Sequence, residues 1–505
     1  MAQPMRQNSR VVTLDRLESH LWAAANILRG PVDASDFKTF IFPLLFFKRI
    51  CDVFDEEYEA ALEESSGDIQ FALFAENHRF QIPEGAHWKD VRERTANLGQ
   101  ALQSAFRAIE QANPDTLFGI FGDAQWSNKE RLSDALIRDL LEHFSKLSLG
   151  NENVTSDLLG DAYEYLIKKF ADAQNKKAGE FYTPRSVVRM MVEVLDPQEG
   201  ETAYDPACGT GGMLLGVIQH AQEKGLDIKR LYGKLFGQEK NLTTSAIARI
   251  NLILHGNEDF RIARGDTLRD PAFFDGDRLA QFDCVIANPP FSLESWGAES
   301  WSSDPFGRNK TGVPPNGTAD FAWVQHMLAS MHPKSGRMTV VVPHGVLFRM
   351  GVEGRIREAI LKTDQLEAVI GLAPNLFYGA GLAACVLVFR AKKSPERKGK
   401  TIIIDASHLF KKQKAQNVLL DQQAQQIVKW YEEFQDVEGV ARVVDLSEFE
   451  AHGFNLNITR YVEKKVETVE ITVEEAIKNL KDSLEAAYGA EDRLRELLVR
   501  EGLLK

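Results

Sequence analysis

The chain has 505 residues, 44% of them hydrophobic, enough apolar material for two or more cores. Its formal net charge of −13 excludes a chain that grips duplex DNA tightly by itself, because most such binding comes from Lys and Arg on phosphates. The four cysteines, Cys51, Cys208, Cys284 and Cys385, lie far apart without metal-ligand spacing, so neither a metal site nor a disulfide framework is expected.

Residues 1–150 predict a helical domain. Leu14, Leu17, Leu21 and Leu28 fall at helix spacing before a Gly30-Pro31 stop. Phe40 to Phe47 is the longest apolar run; it is too short to span a membrane and contains Pro43, so it reads as a buried, kinked helix. No signal-peptide pattern opens the chain, and a cytoplasmic protein without a membrane partner is expected. Cys51 to His78 holds nine acids and no Lys or Arg. It reads as a solvated helix face or as a dock for a basic partner.

From 151 to 460 strands and helices alternate, which predicts an α/β domain with a mostly parallel sheet. In Gly179-Glu180-Phe181-Tyr182-Thr183-Pro184-Arg185, Thr183 is placed to cap a helix with Pro184 at its first position. Val187, Met191 and Val194 give that helix an apolar face. A strand from Glu201 then ends at Asp205-Pro206-Ala207-Cys208-Gly209-Thr210-Gly211-Gly212. Such glycines let backbone approach a ligand, and the helix starting at Met213 offers free N–H groups. The dinucleotide spacing Gly-x-Gly-x-x-Gly is missing. Asp205 would repel a pyrophosphate and welcome a cationic ligand.

Further strand ends follow in order. A strand from Leu231 to Gly237 reaches Gln238-Glu239, an acid placed to hold two ribose hydroxyls. Phe260 to Ala263 leads to Gly265-Asp266, placed to accept from an adenine amino group. Phe282 to Ala287 reads as a buried strand ending in Asn288-Pro289-Pro290-Phe291. The prolines contribute no N–H, so the end presents acceptors beside a flat ring. That suits a planar amino group on a heterocycle. Alone, the tetrapeptide is equally a turn; the ordered set of four strand ends favours ligand chemistry.

Arg337 to Pro343, Leu366 to Leu372 and Ala383 to Phe389 predict three more buried strands. Arg390 to Lys414 carries nine basic residues and two acids around the strand Thr401 to Ile404. The stretch is either a DNA-backbone path or two wet loops. After Tyr461 comes a charged helical tail, 461–505. There Val473, Ile477, Leu480, Leu484, Ala487, Leu494 and Leu498 follow 3-4 spacing, broken by Glu491. That is a heptad seam for subunit assembly, or a helix lying on its own domain.

With these motifs in this order, the chain resembles the amino-methyltransferases that use S-adenosylmethionine. More closely, it resembles the methylation subunit of type I restriction–modification systems, also through Asp157 to Leu166 and Phe37 to Asp52. The resemblance implies a Rossmann-like methyltransferase domain behind a helical front. It implies a cofactor site of Glu180, Phe181, Tyr182, Thr183, Pro184 and Arg185 over the methionine end, with Asp205, Gly209, Thr210, Gly211, Gly212, Glu239 and Asp266. Asn288, Pro289, Pro290 and Phe291 would be catalytic, acting on a base flipped from the duplex. The implied partners are duplex DNA, a specificity subunit, a motor-nuclease restriction subunit and a second copy of this chain. Phe377-Tyr378-Gly379 would supply a second ring for the base.

Little more than 110 residues follow Phe389, too few for a large recognition region plus a tail, which also points to a separate specificity polypeptide. Carbon-5 chemistry is rejected, since Cys284 lies within a strand and Cys208 in the glycine turn. Asn-Pro-Pro-aromatic favours adenine N6, with cytosine N4 open. The rivals are a protein glutamine amide methyltransferase and a non-catalytic assembly subunit on the same fold. The polar segment to Asp320 is expected beside the base, with Trp296 and Trp301 stacking or packing it down.

Overall fold

Apolar side chains at helix spacing build the front of the molecule. A computed structural model describes residues 12–173, 183–257, 259–377, 381, 383–413, 416–463 and 472–504. Helix α1 (Leu14–Ile27) buries Leu17, Leu21, Ala24 and Ala25. Helix α2 (Phe37–Glu64) runs through Pro43 and buries the whole of Phe40 to Phe47. A helix apolar on all sides must be enclosed, and α3 (Leu98–Ala112), α4 (Asp134–Phe144) and α5 (Ser156–Ala173) share its core. Arg49, buried in α2, donates to Asn151 Oδ1 (2.5 Å) and to the carbonyls of Val154 (3.2 Å) and Leu149. The acidic run after Cys51 is only partly a solvated face. Asp52 pairs with Lys48, Glu56 accepts from the Asn151 N–H (2.6 Å), and Glu57 accepts from the Arg79 N–H (3.0 Å).

Behind this front lies a nine-stranded sheet. Its strands in chain order are β1 (Ala203–Asp205), β2 (Leu235–Glu239), β3 (Phe260–Arg264), β4 (Cys284–Ala287), β5 (Arg337–Pro343), β6 (Leu366–Gly371), β7 (Ala384–Arg390), β8 (Lys400–Asp405) and β9 (Ala441–Asp445). They lie in the order β9-β8-β6-β7-β5-β4-β1-β2-β3. Pairings β3-β2-β1-β4-β5 and β6-β8 are parallel; β7 is antiparallel to both neighbours, and β9 to β8. Both faces are covered, which explains the unbroken apolar runs. Ile286, Val341, Ile370, Val386 and Ile402 pack on one face. Val285, Val340, Val369, Leu387 and Ile403 pack on the other, as the two-residue alternation of a strand requires.

Helices α6 (Arg185–Leu195), α7 (Gly212–Glu223), α8 (Leu242–Leu254), α9 (Asp320–Ser330), α10 (Val352–Leu361) and α11 (Asp421–Glu433) complete the layers. Ile247, Ile250, Ile253 and Leu254 of α8 join the core of the helical front.

Two local expectations are corrected. The second strand begins at Leu235: Leu231 closes a 3-10 turn (Ile228–Leu231), and Gly233, at φ +70°, turns the chain before the sheet. Thr183 does not cap α6; Pro184, which has no side-chain acceptor, occupies the cap position, and the Thr183 hydroxyl accepts from Asn288 Nδ2.

A separate unit spans Glu463–Lys505. Its helix α12 (Val473–Arg500) starts in a capping box, with Thr472 Oγ1 accepting from the Glu475 N–H at 3.2 Å. Its seam residues Val473, Ile477, Leu480, Leu484 and Leu494 are exposed.

Candidate functional site

The sheet reverses its strand order between β1 and β4. Chain β1-β2-β3 runs outward one way, and β4 returns on the other side of β1. Loops leaving the carboxyl ends of two such strands diverge and leave a crevice. The glycine turn leaves β1 there, and Asn288-Pro289-Pro290-Phe291 leaves β4. An open cleft of about 680 Å³, counted with the solvent at its mouth, lies between them, lined by Thr183, Arg185, Asp205, Thr210, Asn288 and, from α5, Glu164.

The glycine turn needs its glycines at two places. Gly209 (φ +52°) and Gly211 (φ +83°) adopt left-handed backbone, and a Cβ on Gly211 would come within 3.4 Å of Ala248. Gly211 caps α7, whose first residues Gly212 and Met213 line the cleft. Asp205 is 1% exposed and accepts from the Ala207 N–H at 3.0 Å. Burial pushes its carboxyl up to about 8, and the Glu239 charge adds to the rise. Glu239, at the end of β2, accepts from the Gly209 N–H (3.1 Å) and the Asn241 N–H (2.7 Å). Burial also raises its pKa. Asp266, after β3, pairs with Lys240 (2.9 Å). Any ligand amino group there meets a carboxylate that already holds a cation.

At the end of β4, Asn288 Nδ2 donates to Thr183 Oγ1 at 2.9 Å, so two segments 105 residues apart in the sequence are joined. Phe291 is half-buried and meets Phe377 edge-on at 6.0 Å. Phe377 is itself buried, so the second flat face expected from that segment is not Phe377's; Tyr378 and Gly379 lie outside the described residues. Glu180, Phe181 and Tyr182 also lie outside them, as does the side chain of Asp157. Arg185 pairs with Asp161 (3.2 Å) and with Glu164.

Glu164 and Asn251 in the cleft wall were missed by sequence reasoning. Asn251 is 1% exposed; its Nδ2 donates to the Thr210 carbonyl at 3.1 Å, and its Oδ1 has no protein partner. The signal was present: one amide inside the apolar stretch Ile250 to Leu254 of α8.

The segment after Phe291 is packed rather than open. Trp296 and Trp301 stand edge to face at 4.9 Å in a small core with Leu268, Ala319 and Ala322. Their indole N–H groups donate to the carbonyls of Pro315 (3.0 Å) and Leu268 (3.1 Å). Arg308 lies 4.6 Å from the Trp301 ring and pairs with buried Asp304 at 2.6 Å. These rings pack the loop, and no face is left to stack on a base. The basic stretch is likewise partly internal: Arg390 pairs with Glu367 (3.1 Å) and Lys393 with Asp364 (2.7 Å), while Lys411 and Lys412 are exposed. Among the described residues, no helix is long and apolar enough to cross a membrane.

The N-6 DNA methylase family matches residues 154–470, and the HsdM N-terminal domain matches residues 17–144. The MjaVII type I restriction enzyme methylase subunit of Methanocaldococcus jannaschii is 31% identical, over 94% of this chain and 82% of that protein. The MjaIX methylase subunit of the same organism is 29% identical, over 95% of this chain and 89% of its own length. Among solved structures, the type I restriction–modification methyltransferase subunit of Streptococcus thermophilus is similar with a TM-score of 0.76. It is 29% identical and covers 90% of this chain and 100% of its own.

Proposed function

The chain belongs to the N-6 DNA methylase family, and we propose that it is the methylation subunit of a type I restriction–modification complex. It transfers a methyl group from S-adenosylmethionine to N6 of an adenine in duplex DNA, at a site chosen by a separate specificity subunit. One observation carries this reading. Asn288 sits at the strand end of the topological switch, tied to Thr183, across one cleft from the glycine turn.

The cleft residues fit the cofactor. Asp205 and the unpartnered Asn251 Oδ1 suit a ligand carrying positive charge, and Arg185, held by Glu164 and Asp161, has further N–H donors for its carboxylate. Glu239 is the proposed ribose acceptor, Asp266 the adenine acceptor, and Gly209, Thr210, Gly211 and Gly212 the backbone that admits them. Glu180, Phe181, Tyr182, Thr183, Pro184 and Arg185 are proposed to cover the methionine end. S-adenosylmethionine, when bound, supplies an electrophilic methyl on a sulfonium.

The chain's residues then act on the base. Asn288 donates through Nδ2 to Thr183, which fixes the amide and turns Oδ1 toward an amino group. That oxygen and the Pro289 carbonyl accept the two amino hydrogens and draw the nitrogen lone pair toward the cleft. Pro290 keeps the strand end free of a competing N–H, and Phe291 stacks on the base. Flipping costs a few kcal/mol of lost pairing and stacking, and these contacts offset it. The bond from the methyl to sulfur would break as the bond to nitrogen forms, leaving a neutral thioether, and the methylated nitrogen would release one of its two protons to solvent; positioning and exclusion of water supply the acceleration, with no covalent intermediate on the enzyme.

The net charge of −13 fits a chain that relies on a specificity subunit for DNA affinity. A motor-nuclease subunit and a second copy of the chain complete the proposed assembly, in the cytoplasm. We assign residues 1–150 to the helical front, 151–460 to the methyltransferase domain and 461–505 to assembly. The test is single-molecule sequencing of modified bases in DNA from cells carrying this chain and its specificity partner. N6-methyladenine at one recurrent sequence, absent when Asn288 is replaced, is the expected result. Its presence in both would reject the proposal.

A further inference from the structure

The residue after Phe291 is held in an unusual way. Ser292 has φ +51°, a left-handed conformation that costs an ordinary L residue free energy. Its N–H donates to Asp320 Oδ1 at 2.8 Å. Asp320 is the first residue of α9, and its side chain is 2% exposed. The other carboxylate oxygen accepts from Arg349 Nη1 at 2.8 Å, and the same nitrogen reaches buried Glu353 at 3.0 Å. Arg349 follows β5, the strand beside β4 in the sheet. A closed path therefore runs from the turn after β4, through an ion pair buried on its Asp320 side, to the loop after β5.

Holding Ser292 left-handed and burying the Asp320 carboxylate both cost free energy, and the hydrogen bond and the ion pair offset it. The path fixes the peptide that carries Phe291. Phe291 itself has just one aromatic neighbour among the described residues, Phe377, edge-on at 6.0 Å. Its ring otherwise packs against the apolar core on one face of the sheet, and the backbone of the turn sets where it enters that packing.

We propose that Asp320 is a positioning residue for the target base: locked by Arg349, it holds Ser292 and so fixes the plane of Phe291 against which the flipped adenine stacks. This rests on the methyltransferase reading above. Asp320 touches neither base nor methyl donor; it acts through the turn.

The test uses the full chain co-purified with its specificity partner, with turnover read on duplexes that keep adenine at the mapped target, and base flipping read on matching duplexes that carry 2-aminopurine there and cannot be methylated. Asp320→Ala is expected to leave the Kd for S-adenosylmethionine and the KM for DNA near the parent's. Turnover should fall about 10²-fold, the scale of a small misplacement of reacting groups. The 2-aminopurine emission on binding should change with it, because the flipped base is no longer clamped. Asp320→Asn still accepts from the Ser292 N–H but loses the charge that holds Arg349. It should fall between parent and Asp320→Ala on both readouts. Parental turnover and parental emission in Asp320→Ala, with only the melting temperature lowered, would reduce Asp320 to a structural residue and overturn the proposal. If Asp320→Ala does not fold, Asp320→Asn decides it by the same two readouts. A parent complex that leaves DNA unmodified removes both this inference and the methyltransferase reading; an active parent matched by its variants removes this inference alone.

Discussion

Replacing Glu239 by Ala should weaken S-adenosylmethionine binding and also loosen the glycine turn. One carboxylate oxygen accepts from the Gly209 N–H at 3.1 Å and the other from the Asn241 N–H at 2.7 Å. The residue is 9% exposed, so water does not replace those bonds freely. Hydrogen bonds from a ligand to a charged acceptor are worth about 1.5–3 kcal/mol in total, a factor of roughly 10–150 in Kd. The two amides left without their acceptor add about 1–3 kcal/mol each of lost stability where they remain buried. Glu239→Gln separates the two effects. It keeps one acceptor oxygen for the turn but presents a donor where a ribose hydroxyl must donate. Calorimetry with S-adenosylmethionine on the full chain, alongside thermal melting, reads both. Alanine should lower affinity and melting temperature; glutamine should lower affinity with a smaller loss of stability. An unchanged Kd in both variants, with melting alone affected, would mean that Glu239 serves the turn and holds no ligand.

Asn288→Ala should abolish methyl transfer while cofactor affinity stays near the parent's, because its bond is to Thr183 and the base rather than to the glycine turn; turnover within about tenfold of the parent, only about 1.4 kcal/mol, would sink the assignment. Asp205 gives a pH dependence with a definite sign. Its carboxyl rises from 3.8 to about 8 on folding, so the folded chain binds more protons than the unfolded one in that window, and ligand-free stability falls as pH rises through it. Asp205→Asn should flatten the melting temperature across that same window; parallel curves for the two proteins would refute Asp205 as the cause. Replacing Leu480 and Leu484 together with Asp should weaken co-purification with the proposed specificity partner and spare cofactor binding, since both side chains are exposed on α12; an undiminished complex would place the seam outside the interface.

Whatever depends on local spacing was legible before any fold was known. Residues one apart had to face opposite sides of a strand, so Val285 and Ile286 could be assigned to a strand buried on both faces without their partners. Gly209 and Gly211 announced a turn that lets backbone approach a ligand, and Asn-Pro-Pro announced a strand end rich in acceptors. Four such ends in order sufficed to suggest the chemistry. Groups whose state depends on distant neighbours had to wait for the packed chain. Thr183 had the local signature of a helix cap, yet its hydroxyl serves Asn288, because the sheet brings β4 to that point. Trp296 and Trp301 could stack or pack, with packing favoured, and packing is what Leu268 and Ala322 make of them. Arg390 and Lys393 looked like part of a basic surface until Glu367 of β6 and Asp364, just before that strand, neutralised them. Asp320 gave no local hint at all. Its burial between Ser292 and Arg349 arises only because β4 and β5 lie side by side, a pairing between segments some 50 residues apart that no short-range pattern encodes.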